Sequence, residues 1–115
     1  MLFRSLEVRA YVHHLYRHLA AADLAVVQGG LTTCMELTAN ARPFLYFPLA
    51  HHFEQNFHVR HRVERYGAGR HMDYAQSPPE VIAAAIAAEI GREVTYKPVE
   101  TDGAARAAAL LSELI

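Results

Sequence analysis

The chain has 115 residues, of which 52% are hydrophobic, and its formal net charge is −1. This length and composition give room for a single domain with a buried core and exclude a disordered chain. The nearly balanced charge gives no support for a nucleic-acid partner, which would require a basic surface. Cys34 is the only cysteine, which excludes an internal disulfide and predicts a reducing, cytoplasmic location.

The first predicted elements are a strand, a helix and another strand. Apolar and polar residues alternate over residues 6–12, which predicts a short strand. Apolar residues then follow helical spacing over residues 12–19. The apolar run at residues 24–28 predicts a buried strand, which the pair Gly29–Gly30 ends.

A helix is predicted directly after this glycine pair. Thr32 or Thr33 is the predicted N-cap, and Glu36 is placed to reach back to it in a capping box. The helix runs to about residue 41, where an Arg-Pro pair stops it. Residues 44–47 then form a further buried strand, which a proline ends.

The next predicted elements are a loop, a helix and a short strand. A polar, histidine-rich loop occupies residues 49–54, and a helix follows over residues 55–66. Its residues available for burial are Phe57, Val59, Val63 and Tyr66. A Gly-Ala-Gly turn then leads into a short strand over residues 70–72.

The chain is predicted to end with two helices. Ser77 is the expected N-cap of the first, with prolines in the first turn, and Gly91 closes it. The last helix, over residues 103–114, is expected to bury Leu110, Leu111 and Leu114. Because strands alternate with helices, the sequence predicts an α/β fold with a parallel sheet.

The stretch after the strand at residues 24–28 has the residue types of a phosphate-binding site. Two glycines allow a phosphate to approach the backbone, and the helix that follows presents free N–H groups to an anion. Thr32 and Thr33 add hydroxyl donors, and Glu36, one helical turn further on, suits the hydroxyls of a ribose. The alternative interpretation is a strand–turn–helix junction with ordinary capping.

A second polar stretch follows the strand at residues 44–47. Glu54, Gln55 and Asn56 offer the donors and acceptors that sugar hydroxyls require. Carboxyl ends of strands are where open α/β sheets bind ligands, so His51 and His52 are candidates for contact with phosphate or sugar. A solvated loop with a helix cap is the alternative.

Taken together and in this order, the two stretches resemble the donor-binding C-terminal domain of GT-B glycosyltransferases. The similarity is closest to the branch with bacterial lipid-linked N-acetylglucosaminyltransferases and UDP-glycosyltransferases. The stretches that carry it are DLAVVQGGLTT from Asp23, Glu36, RPFLYFP from Arg42, Glu54-Gln55, and YGAG from Tyr66. The resemblance implies a partial Rossmann-like, three-layer domain over residues 1–115, with a short parallel sheet flanked by helices.

The resemblance also implies which residues contact the nucleotide part of a donor. Gly29, Gly30, Thr32 and Thr33 would contact the diphosphate. Gln28 stands where many relatives have a phosphate-binding histidine, so an amide that can donate a hydrogen bond replaces a group that can carry charge.

The sugar end of the donor is assigned in the same way. Glu36 would hold the ribose, whereas Glu54 and Gln55 would hold the transferred sugar. Many relatives place an asparagine three residues after this glutamine, and here His58 occupies that position. The resemblance implies no cofactor and no metal for donor binding, which fits the absence of an Asp-x-Asp pair.

These assignments predict a module that binds a nucleoside-diphosphate sugar, with a UDP-sugar favoured. A hexosyl group would be transferred to an acceptor held by a missing N-terminal domain or a partner chain, so this chain alone is expected to be inactive. The alternative is a non-catalytic interaction module with a degenerate glycosyltransferase fold. A related nucleotide-sugar epimerase ranks below both, because the acidic–arginine loop associated with that group is missing.

Three further expectations concern surfaces. The first strands of a complete Rossmann sheet would be absent, so an apolar strand edge would favour homo-oligomers. An arginine-rich run over residues 60–65, or the His13–His14 pair, could contact a membrane surface. The helical histidine pairs His14 and His18 and His58 and His61 are expected to be surface residues rather than metal ligands.

Overall fold

The computed structural model describes residues 6–115. The α-helices are α1 Leu15–Ala21, α2 Leu31–Ala39, α3 Arg60–Arg65, α4 Pro79–Glu89 and α5 Gly103–Ser112. The strands are β1 Ala25–Val27, β2 Phe44–Tyr46 and β3 Arg70–His71. A π-helix spans Glu54–Val59, directly before α3, and a 3₁₀ helix spans Tyr74–Gln76.

The three strands form one parallel sheet in the order β1-β2-β3. Val26 of β1 lies beside Leu45 of β2, and Tyr46 of β2 lies beside His71 of β3. A helix follows each strand along the chain, as parallel connections require. The predicted α/β class, with a short parallel sheet flanked by helices, is therefore confirmed.

The central strand β2 has a buried core on each of its faces. Phe44 and Tyr46 point into a cluster that contains Leu37 of α2 and Val63 of α3. Leu45, which lies between them and points to the opposite face, belongs to a second cluster. Its partners there are Met72, directly after β3, and Ala85 of α4. Burial on both faces explains why the sequence of β2 is a continuous apolar run.

The edge strand β1 is less well covered than β2. Val26, in the middle of β1, is 49% exposed, and β2 is its neighbour on one side only among the described residues. The predicted apolar edge is therefore present, and self-association through it stays a prediction.

The strand predicted over residues 6–12 is wrong. These residues form no strand, and Val8 and Tyr11 are 84% and 79% exposed. Alternation selects a strand only where a neighbouring strand supplies hydrogen bonds, and residues 6–12 have no such neighbour in the described sheet. The helix predicted after it is confirmed, but it begins at Leu15 because His14 adopts a left-handed conformation with φ of 52°.

Burial of the last helix was predicted incorrectly. α5 has no buried residue, and the three leucines predicted to be buried, Leu110 and Leu111 in α5 and Leu114 just after it, are 65%, 62% and 82% exposed. Its apolar face lacks a packing partner among the described residues, because amphipathic spacing does not itself supply an opposing surface. Phe57, also proposed for burial, is 61% exposed, whereas Val59 and Val63 are buried as expected.

The predicted helix caps also differ from the observed ones. α2 begins at Leu31 with Gly30 as N-cap, so Thr32 and Thr33 lie inside the helix and no side-chain cap forms. The helix starts early because Gly29 reverses the chain direction at a positive φ of 137°. Pro78 is the N-cap of α4, and the Ser77 hydroxyl instead donates to a backbone carbonyl at 2.6 Å.

Candidate donor-binding site

The bend between β1 and α2 is packed closely against the end of β2. A Cβ atom on Gly29 would lie 3.1 Å from the Pro48 Cα and 3.5 Å from Oε1 of Gln55. With its φ of 137°, this position requires glycine on both steric and conformational grounds. The two polar stretches found in the sequence therefore meet at Gly29.

The start of α2 is open to an incoming group. A Cβ atom on Gly30 would meet nothing within 4 Å. Cys34 is the first residue of α2 whose N–H donates to a backbone carbonyl, that of Gly30, at 3.1 Å. Within residues 6–115, the N–H groups of Leu31, Thr32 and Thr33 have no hydrogen-bond acceptor. Free N–H groups at a helix start attract anions.

The polar side chains of α2 lie on one side of this opening. Glu36 follows Thr33 by three residues and Thr32 by four, which places the three side chains on neighbouring positions of one helix face. Thr32 is exposed, whereas Thr33 and Glu36 are half-buried. The Glu36 carboxylate forms no ion pair among the described residues, and it is thus available to a ligand.

Gln55 links the two stretches through its side chain. Its Oε1 accepts a hydrogen bond from the Leu49 N–H at 2.9 Å, and its Nε2 lies 3.4 Å from Oε1 of Gln28. Gln55 is only 8% exposed, so these partners compensate for its loss of water. The side chain is directed inward from the first turn of the π-helix, whose wide turn is closed by the Arg60 N–H donating to the Gln55 carbonyl.

The other polar residues of this loop face solvent. Glu54, His51 and His52 are all exposed. The Nδ1 of His52 accepts a hydrogen bond from the Gln55 N–H at 3.3 Å, so His52 supports the π-helix locally. His51 and His52 border an open depression of about 490 Å³. The Asn56 amide fixes this loop by donating to the carbonyls of Leu49 and His52.

A larger and more apolar cleft lies at the carboxyl ends of β1 and β2. It has a volume of about 540 Å³. Val27, Gln28 and Phe47 line one part, and Asp73 and Tyr74, which precede α4, line another. Of the predicted donor residues, only Gln28 lines this cleft, whereas those on α2 lie outside its lining. The sequence pattern gave no signal for Asp73 or Tyr74, because their position depends on the path after β3.

Burial shifts the pKa of Cys34, Tyr46 and His71. The Cys34 thiol is fully buried in α2, and burial raises its pKa from 9.0 to about 11. A thiol with that pKa is protonated at neutral pH and does not act as a nucleophile, which indicates a packing role for Cys34. Burial also lowers the pKa of His71 and raises that of Tyr46 to about 12.

Two properties of the described residues concern metals and membranes. Residues 6–115 contain no group of three or more histidine, cysteine or acidic side chains placed to hold a metal ion. His14, His18, His58 and His61 are exposed, as predicted. In the same part of the chain, every helix is too short or too polar to cross a bilayer.

Comparison with known proteins points to one family. The family model described as "Glycosyltransferase family 28 C-terminal domain" matches residues 3–114. An uncharacterized glycosyltransferase from Methanosarcina mazei is 34% identical over 82 residues, which cover 71% of this chain. A UDP-N-acetylglucosamine–N-acetylmuramyl-(pentapeptide) pyrophosphoryl-undecaprenol N-acetylglucosamine transferase from Frankia casuarinae is 42% identical over 45 residues, or 39% of this chain. No solved structure gives a significant match.

The matched segments are a small part of these relatives. They cover 21% of the Methanosarcina protein and 12% of the Frankia protein. The family match, in contrast, extends over nearly the whole chain and includes both polar stretches, the sheet and all five α-helices. The chain therefore belongs to the glycosyltransferase family 28 C-terminal domain family, as the resemblance predicted.

Proposed function

We propose that this chain binds a nucleoside-diphosphate sugar and serves as the donor-binding part of a glycosyltransferase. The family match supports the class of enzyme. A UDP-sugar is the proposed donor, and UDP-N-acetylglucosamine is the first compound to test, because the name of the Frankia relative describes transfer from that donor.

The observation that carries this proposal is the uncapped, open start of α2. Three consecutive N–H groups, which have no acceptor within the described part of the chain, follow a glycine around whose Cα the space is open. A helix start behaves like about half a positive charge, and an anion placed there gains about 0.3–2 kcal/mol. A diphosphate can use several of these N–H groups at once, and the hydroxyls of Thr32 and Thr33 add further donors.

The resemblance to GT-B donor domains supplies the remaining donor contacts of this proposal. Glu36, at the next turn of α2, accepts hydrogen bonds from the ribose hydroxyls. Gln55 and Glu54 contact the transferred sugar, with Gln55 held inward and Glu54 exposed at the start of the π-helix. His51 and His52 border the open depression beside this loop, where they would contact the sugar or a phosphate.

Transfer of the sugar places new negative charge on the departing nucleoside diphosphate. N–H groups that are already aligned stabilise this charge without reorganisation, which is how such groups contribute most to catalysis. We place the acceptor, and the base that activates it, on another domain or a partner chain. The two relatives are several times longer than the segments that match this chain, which supports that division.

Calorimetric titration of the chain with UDP and UDP-N-acetylglucosamine tests the proposal. Binding of either compound supports it, whereas an interaction module that has lost the donor site would bind neither. The Glu36→Ala variant removes hydrogen bonds to a charged acceptor and should weaken UDP binding about tenfold or more. Glu113→Ala is the matched control, because Glu113 is exposed and forms no ion pair among the described residues. Equal affinity of the two variants would contradict the ribose contact.

A further inference from the structure

Gln55 is one of three buried polar side chains in the described part of the chain. A buried amide group needs a partner for its oxygen and for its nitrogen, since an unpaired polar atom costs more than a hydrogen bond returns. The oxygen has a strong partner in the Leu49 N–H at 2.9 Å. That bond fixes which end of the amide is oxygen, because a reversed amide would place two donors against each other.

The nitrogen end of the same amide faces Gln28. Gln28 directly follows β1, and its side chain is exposed. The Oε1 atom of Gln28 lies 3.4 Å from Nε2 of Gln55. The two residues are 27 positions apart in the sequence. An amide nitrogen carries two hydrogens, and Gln28 accounts for one of them. The second has no acceptor among the described residues.

The backbone around this pair restricts other arrangements. Oε1 of Gln55 lies against Gly29, where even a Cβ atom would come within 3.5 Å. The Gln55 N–H donates to Nδ1 of His52 at 3.3 Å, which links the start of the π-helix to the loop before it. Among the described residues, Gln28 is the side chain that faces the nitrogen end of this amide.

We propose that Gln28 is a positioning residue that aims the second N–H of Gln55 at a hydroxyl oxygen of the donor sugar. In this role Gln28 does not bind the diphosphate, although it occupies the position of the phosphate-binding histidine of many relatives. It sets the preference for a nucleotide-sugar over the free nucleotide. The inference rests on the proposed function for its ligand, but the orientation of Gln55 can be measured without any ligand.

Two variants of Gln28 separate positioning from direct contact. Gln28→Ala removes the acceptor that faces Gln55, whereas Gln28→Glu keeps an acceptor oxygen at the same distance along the side chain. In calorimetric titrations, Gln28→Ala should reduce UDP-N-acetylglucosamine affinity about three- to tenfold, the range expected for one hydrogen bond. Its UDP affinity should fall by less than about twofold, and Gln28→Glu should restore the preference for the sugar.

A loss of affinity that is equal for UDP and UDP-N-acetylglucosamine would overturn the positioning role, because it indicates contact with the nucleotide. An unchanged preference would overturn it as well. If Gln28→Ala instead disrupts the fold, both affinities fall and circular dichroism detects the loss of structure. In that case Gln28→Glu does not restore the preference for the sugar.

The side-chain amide signals of Gln55 in ¹H–¹⁵N NMR spectra test the orientation in the ligand-free chain. Gln28→Ala should shift these signals and speed the exchange of their protons with water, whereas Gln28→Glu should keep the exchange slow. Unchanged signals in Gln28→Ala would refute the orientation. If the unmodified chain binds neither UDP nor the UDP-sugar, the donor proposal fails, and the sugar preference fails with it. The orientation is then decided by these NMR signals alone.

Discussion

The same substitution should strongly destabilise the chain at Gly29 and have little effect on stability at the adjacent Gly30. In Gly29→Ala, the new side chain is held at a φ of 137°, which L-residues rarely adopt, and strain of this kind costs about 1–3 kcal/mol. Its Cβ would also lie 3.1 Å from the Pro48 Cα, a backbone atom that cannot move away easily. Overpacking adds about 1–3 kcal/mol, and the reduced freedom of the unfolded chain offsets about 0.4–1 kcal/mol.

Gly29→Ala should therefore lower the free energy of unfolding by about 1–5 kcal/mol. Gly30→Ala has a backbone φ of −66° and open space around the new methyl group. The weaker N-cap is offset by the entropy of the unfolded chain, so its stability should change by less than about 1 kcal/mol. Urea denaturation followed by circular dichroism measures both values.

The same pair also separates stability from binding. The methyl group of Gly30→Ala occupies the space through which a diphosphate would reach the α2 N–H groups, so this variant should bind UDP more weakly while remaining as stable as the parent chain. Equal destabilisation by the two substitutions, or a larger effect at Gly30, would refute the assignment of a steric role to Gly29.

Three further predictions concern buried residues, the first with an exposed residue as its control. Leu37→Ala should destabilise the chain by about 2–5 kcal/mol because Leu37 is fully buried, whereas Leu110→Ala on exposed α5 should change stability by less than about 0.5 kcal/mol. Similar losses in urea denaturation would mean that α5 is packed in solution. Cys34 should resist thiol reagents at pH 8 until the chain unfolds, and rapid labelling of the native chain would contradict its burial. Since burial raises its pKa from 9.0 to about 11, the folded state retains a proton that the unfolded state loses, and stability should fall as pH rises from 9 to 11.

Elements buried on both faces were predictable from the sequence. The run at residues 44–47 predicted β2 because every residue in it is apolar, and the three residues that form the strand, Phe44–Tyr46, are buried. The glycine bend and the helix after it were predicted for similar reasons, since few residues other than glycine suit a reversal next to a strand. These features depend on local composition, which one sequence displays directly.

Features that depend on a distant partner were not predictable in the same way. Residues 6–12 and α5 have strand-like and helix-like periodicity, but burial requires an opposing surface that periodicity does not specify. The π-helix at Glu54–Val59 differs from an α-helix by a single wide turn, which leaves no distinct residue pattern. The contact between Gln28 and Gln55 arises because parallel strands bring their carboxyl ends together.

Titration of ¹⁵N-labelled chain with UDP, followed by backbone amide NMR, tests the central claim most directly. If the start of α2 binds a diphosphate, the largest shifts should occur at the N–H groups of Leu31, Thr32 and Thr33, with a smaller change at Glu36. Shifts confined to α5 or to the cleft around Tyr74, with none at the start of α2, would contradict the proposed donor site.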